Sequence, residues 1–108
     1  MSVKELINEQ ISSNPIILYM KGSPEAPQCG FSAKSSQAIS ACGIPFATVD
    51  VLQNPDIRRE LPAHSNWPTF PQLYLNGELI GGCDIILELY ESGELQKLIT
   101  EADASIKT

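Results

Sequence analysis

Ile16-Ile17-Leu18-Tyr19-Met20-Lys21-Gly22-Ser23-Pro24-Glu25-Ala26-Pro27-Gln28-Cys29-Gly30 holds the passage on which the fold turns. Ile16 to Met20 is apolar at every position, so both faces of the segment need cover, which predicts a strand in the middle of a sheet. Lys21 to Gln28 is rich in turn formers and predicts a loop. From Cys29 to Cys42 the pattern reads as a helix with Phe31, Ala38, Ile39 and Cys42 available for burial, and Gly43 ends it. Phe46 to Val51 reads as a second strand. A strand, a crossover helix and a strand make two parallel neighbours, and the crossover is expected to be right-handed.

Upstream, Ser2-Val3-Lys4-Glu5 is a capping-box pattern, followed by Val3, Leu6, Ile7 and Ile11 at helical spacing, with Asn14-Pro15 as the stop. Downstream, Asn54-Pro55 opens a short helix ending near Leu61 to Ser65, an N-cap followed by proline at the first helical position. Gln72 to Leu75, Asn76-Gly77 and Glu78 to Ile80 make a hairpin, because Asn-Gly suits the tight turn that needs two positive φ angles. Gly81-Gly82 leads into a helix from about Cys83 to Glu91, and Ser92-Gly93 separates it from a last one near Glu94 to Glu101. The order α-β-α-β-α-β-β-α-α predicts an α/β fold: a four-stranded mixed sheet with helices on both faces, the thioredoxin-like plan. On that plan Cys29 stands just past the carboxyl end of the central strand, the edge where open α/β sheets bind ligands.

The chain has 108 residues, and a single domain spanning 1–108 is expected. Folding would hide roughly 65% of the extended surface, enough for a core without disulfide staples. No apolar run approaches the ~20 residues of a bilayer span. The first twenty residues resemble neither a secretory signal nor a transit peptide. Up to Arg59 the chain carries five basic and five acidic side chains; from Glu60 on it carries two and eight. The net charge of −6 therefore comes from the second half, and no basic stripe exists for nucleic acid.

Cys29, Cys42 and Cys83 are an odd set, so at least one is unpaired within the chain. An odd count without a signal peptide points to a reducing, cytoplasmic setting and working thiols. Zinc fits poorly: no two cysteines lie two to four residues apart, and His64 is the only histidine. Cys29 begins a helix, where backbone N–H groups and the dipole favour the thiolate, the reactive form; its proline- and glycine-rich flanks are unlike a core. Cys42, ~20 Å along the same helix, is beyond disulfide reach and reads as packing. For Cys83 two readings stand level: an anion site on the Cys83 and Asp84 backbone, or a glycine hinge with an Asp cap. Ser32 stands where a C-x-x-C site has its second cysteine, so an intrachain resolving thiol is missing there; its hydroxyl could donate to the thiolate. Lys21 and Arg58 could bind a carboxylate or be plain surface cations. Trp67 reads as a partly buried aromatic, and His64 as incidental.

Lys21-Gly22-Ser23-Pro24-Glu25-Ala26-Pro27-Gln28-Cys29-Gly30-Phe31-Ser32, Trp67-Pro68-Thr69-Phe70-Pro71-Gln72 and Gly81-Gly82-Cys83-Asp84 together resemble the monothiol, C-G-F-S-type glutaredoxins, over essentially the whole chain. The resemblance implies glutathione as ligand. Its cysteine would lie against the backbone of Phe70, beside Thr69, with a cis bond before Pro71. Lys21 and Arg58 would hold the glycine carboxylate, the Cys83 and Asp84 backbone the glutamyl carboxylate, and the Asp84 side chain the ammonium. It also implies a 2Fe-2S cluster, one per homodimer, with Cys29 as the metal ligand, and heterodimers with BolA-like proteins. Ligand counting agrees: such clusters usually take four thiolates, two from Cys29 of two chains and two from glutathione.

Three functions follow as expectations. The first is a cluster carrier that hands 2Fe-2S to apo iron–sulfur recipient proteins. The second is a weak glutathione-dependent thiol–disulfide oxidoreductase in which Cys29 removes glutathione from protein thiols. The third is an adaptor without thiol chemistry, for which Cys29→Ser would be silent. The long loop and the C-G-F-S residues, read through the family, favour the first.

Overall fold

A computed structural model describes residues 2–105. Helix α1 (Val3–Ser13) starts on Ser2, whose hydroxyl accepts the Glu5 amide at 3.1 Å. Strand β1 (Ile16–Met20) follows, then α2 (Gly30–Ser40), β2 (Ala47–Asp50), α3 (Pro55–Ser65), β3 (Gln72–Leu75), β4 (Glu78–Gly81), α4 (Cys83–Ser92) and α5 (Glu94–Ser105). The element order is the expected one. At the hairpin turn Asn76 and Gly77 have φ of 49° and 84°, as the Asn-Gly pair predicts.

The strands lie in the order β2-β1-β3-β4, with β1 parallel to β2 and antiparallel to β3, and β3 antiparallel to β4. This is the mixed sheet of a thioredoxin-like fold. Its continuous burial makes β1 the divider between two cores. Ile16, Leu18 and Met20 pack with Leu73, Leu75, Ile39, Ile86, Leu95 and Ile99 under α2, α4 and α5. Ile17 and Tyr19 pack with Ile7, Ile11, Val51, Ile57, Leu61 and Tyr74 under α1 and α3. Fully burying each such aliphatic side chain contributes about 1.5–3 kcal/mol.

Several expectations needed correction. Phe31 is not buried but 61% exposed. The hidden stripe of α2 is Ser32, Ser35, Ser36, Ala38 and Ile39; Phe31 shares its azimuth but sits in the first turn, at the end of the helix, where it lines a cleft and is not covered by the core. Ser35 and Ser36 satisfy their hydroxyls on the carbonyls of Phe31 and Ala33, so small polar residues occupy a face where hydropathy suggests none. Leu6, by contrast, stands outside the Ile7–Ile11 stripe of α1 and is exposed. Helix α2 ends two residues before Cys42, as its final turn tightens onto the bonds Cys42 N–H to Ile39 C=O and Gly43 N–H to Ser40 C=O. The second strand is shorter than Phe46 to Val51, and α5 runs four residues past Glu101. Asn54 holds the N-cap position of α3, but its side chain donates back to the Asp50 carbonyl instead of capping.

Candidate functional site

Between β1 and α2 the chain folds into a tight loop. Gly22 bridges to Pro27, and the Gln28 N–H bonds the Lys21 carbonyl at 2.9 Å. Gly22 has φ of +89°, and a Cβ there would stand 2.5 Å from the Ala26 carbonyl oxygen. Only glycine fits. The Asp50 carboxylate at the end of β2 accepts the Gly22 and Leu52 amides, both at 2.9 Å, and so ties this loop to the neighbouring strand. The loop delivers Cys29 to the N-cap of α2, in extended conformation and without a side-chain capping bond from the neutral thiol.

Cys29 is partly exposed. Its thiol is held below the ordinary cysteine range, first by the Ser32 amide, with the Phe31 amide, the Lys21 charge and the Ser32 hydroxyl adding to it, against a partial desolvation that pulls the other way. Cys42 is the opposite case: it is buried in the α2-side core, burial pushes its thiol up, and its sulfur lies 3.6 Å from the Ala38 carbonyl. Cys83 is also buried. Ser32 is fully buried, and its hydroxyl accepts the Lys21 amide at 3.0 Å.

A cleft of about 540 Å³ opens beside Cys29. It brings together most of the residues singled out from sequence: Lys21, Cys29, Arg58, Thr69, Phe70 and Asp84 all line it. Cys83 does not; only the start of α4 to which it belongs reaches the rim, through Asp84. Lys21 and Arg58 supply two cations, and Asp84 an anion in the first turn of α4. That helix starts on Gly82 without a side-chain cap, which leaves its first amides available to an anion. The peptide bond before Pro71 is cis. Phe70, just ahead of the β3 ladder, has a backbone that enters no hydrogen bond among the described residues. The Cys29 sulfur, unpaired strand-like backbone, two cations and an acid beside a helix N-terminus form one continuous surface. Such a surface suits a small, extended ligand bearing carboxylates, an ammonium and a sulfur.

Pro62 and Pro68 also line the cleft and were not singled out from sequence. Pro62 sits inside α3, where its ring reads as a helix breaker, although its carbonyl takes the N–H groups of both Asn66 and Trp67 at the helix end. Asp50 was missed as well. A lone acid closing a strand level with an obligatory glycine loop is the signal that could have found it.

Among the described residues no helix is long and apolar enough to cross a membrane, and no group of three or more His, Cys, Asp or Glu could hold a metal ion within one chain. The glutaredoxin family pattern matches residues 16–80, which span the whole sheet apart from its last residue. The chain is 64% identical to Glutaredoxin 4 of Escherichia coli over 104 residues, 96% of this chain and 90% of that protein. It is 67% identical to Glutaredoxin 4 of Buchnera aphidicola over 97 residues, 90% of each. Among solved structures it is similar to reduced apo GrxS14 of poplar, with a TM-score of 0.81 at 43% identity, covering 95% of this chain and 94% of that one. A fold, a thiol site and a sequence that agree to this degree have one reading: the chain belongs to the glutaredoxin family.

Proposed function

We propose that this protein is a glutathione-binding monothiol glutaredoxin that carries a 2Fe-2S cluster between two copies of itself and passes it to apo iron–sulfur proteins, as a single domain spanning residues 1–108. The observation that carries this reading is the isolation of one usable sulfur. Cys29 is reachable and inclined to ionise, while Cys42 and Cys83 are buried and Ser32 replaces a resolving cysteine.

Glutathione fits the cleft end to end. Lys21 and Arg58 hold its glycine carboxylate, and the Phe70 backbone pairs with its cysteine as a strand would. The opening amides of α4, at Cys83 and Asp84, receive the glutamyl carboxylate, and the Asp84 side chain takes the ammonium. Thr69 forms part of the same wall. The cluster is cargo. It usually requires four thiolates, and one chain offers a single accessible one, so two Cys29 sulfurs and two glutathione sulfurs complete the set. Phe31, largely exposed beside Cys29, supplies apolar surface for the second copy. BolA-like proteins are proposed as alternative partners at this face, and the cytoplasm as the location. Anaerobic reconstitution with iron and sulfide tests the reading. A coloured dimer with two irons per two chains should form only when glutathione is present, and Cys29→Ser should abolish it. Full cluster in Cys29→Ser, or colour indifferent to glutathione, would overturn it.

The lowered Cys29 thiol also favours a second, enzymatic reading, at most a weak thiol–disulfide oxidoreductase. The Cys29 thiolate would attack the glutathione sulfur of a protein–glutathione disulfide and expel the protein thiolate. A second glutathione thiolate would then attack that mixed disulfide, releasing glutathione disulfide and restoring Cys29. Turnover of a glutathionylated substrate that is lost in Cys29→Ser supports this reading.

A further inference from the structure

Gln72 is the first residue of β3, fully buried, and its backbone pairs with Tyr19. Its side-chain amide nitrogen does not serve the sheet. It donates to the Trp67 carbonyl at 3.0 Å and to the Thr69 carbonyl at 3.2 Å. Its amide oxygen accepts the Tyr74 hydroxyl at 2.9 Å. An amide with two donors and an acceptor engaged has one orientation only, and Tyr74, nearly buried and edge-on to Tyr19 at 5.7 Å, is itself held by packing. The cleft wall is thus clamped from behind. With the carbonyls of Trp67 and Thr69 turned toward Gln72, Pro68, Thr69 and Phe70 are presented to the cleft.

The same clamp reaches the opposite wall. The Trp67 indole stands against Gly82, the N-cap of α4, so closely that a Cβ on Gly82 would lie 3.2 Å from the indole nitrogen and 3.2 Å from the Pro71 carbonyl oxygen. That indole nitrogen is buried and bonds to nothing among the described residues, so packing rather than hydrogen bonding sets its position. Fixing Trp67 therefore fixes the spacing between the Phe70 backbone and the first turn of α4.

The geometry points to Gln72, oriented by Tyr74, as the positioning residue that sets glutathione selectivity by holding the Thr69–Phe70 wall and, through Trp67, the start of α4 at a fixed separation. This rests on the glutathione reading above. Gln72 lies outside the residues lining the cleft, so its effect should fall on recognition of the tripeptide and not on the sulfur.

The test compares two disulfides in exchange with Cys29. In each, the Cys29 thiolate attacks one sulfur, forms a mixed disulfide and releases one thiolate. Glutathione disulfide carries the tripeptide, whereas bis(2-hydroxyethyl) disulfide presents only the sulfur chemistry. In the unaltered protein, a strong preference for glutathione disulfide is expected; equal exchange with both would overturn the glutathione reading and the positioning role with it. Gln72→Met, which keeps length and burial but removes both donors, should lower that preference about tenfold while exchange with the small disulfide stays within about twofold. Tyr74→Phe, which keeps the ring and removes only the bond to the amide oxygen, should lower it by about threefold. Given a preference in the unaltered protein, two results in the variants would overturn the positioning role alone: an unchanged preference in both, or a parallel loss with both disulfides.

Discussion

The Ser32 hydroxyl accepts the Lys21 backbone amide across 3.0 Å, joining the end of the central strand to the first turn of the helix that bears Cys29. Where a dithiol site would place its second sulfur, this chain has a buried structural bond. Ser32→Ala leaves the Lys21 N–H without that acceptor in a partly buried setting, and is expected to destabilise the fold by about 1–3 kcal/mol. Urea unfolding measures it, and a change below about 0.3 kcal/mol would show the bond to be idle.

Lys21 is one of the groups that hold the Cys29 thiol low. Lys21→Met should shift the midpoint of a pH-dependent alkylation profile upward while leaving the profile sigmoidal. The linkage sign follows from the lowered folded value. The contribution of Cys29 to stability is present above the pKa of an unfolded cysteine and is lost as pH falls through the folded one. Comparing the unaltered protein with Cys29→Ser, the stability difference in favour of cysteine should widen as pH rises through the thiol range. Widening on acidification would contradict the thiolate assignment.

Gly22 at φ +89° faces backbone on both sides, with the Gln28 nitrogen 2.7 Å from any added Cβ. Gly22→Ala should cost about 2 kcal/mol or more, because neither the dihedral nor the neighbouring backbone can yield cheaply. The loop aims Cys29, so the variant should also alkylate at an altered rate in its folded state. Thermal melting and iodoacetamide kinetics together check this.

Phe31 is exposed and packs against little of its own chain. Phe31→Ser is expected to change monomer stability by less than about 0.5 kcal/mol. It should, however, weaken the glutathione-dependent coloured dimer, read as a lower cluster yield at equal iron. Equal yields would remove Phe31 from the proposed interface.

The order of elements is legible in the sequence because punctuation marks each boundary: Asn14-Pro15, Gly43, Asn54-Pro55, Asn76-Gly77 and Gly93 all stand at element ends or turns. Much of the cleft is legible too, since Lys21, Cys29, Thr69, Phe70 and Asp84 sit in three short motifs, with Arg58 alone of its charges outside them. What hid were polar residues that act through hydrogen bonds to backbone, near or far along the chain. Asp50 serves Gly22 from 28 positions away, and the serine stripe of α2 buries polar atoms that bond locally. Hydropathy cannot register either. Gln72 stands inside a quoted motif, yet its task concerns carbonyls whose direction only the folded chain reveals.

Cys29 occupies the N-cap of α2 without an oxygen to offer, and the amides of Phe31 and Ser32 address its sulfur. A negative sulfur can seal that helix end, but a sulfur bonded to a second sulfur carries no charge with which to do so. Glutathionylation should then fray the opening turn, and hydrogen–deuterium exchange at Phe31 and Ser32 should quicken. The helix becomes a gauge of what its first atom is holding.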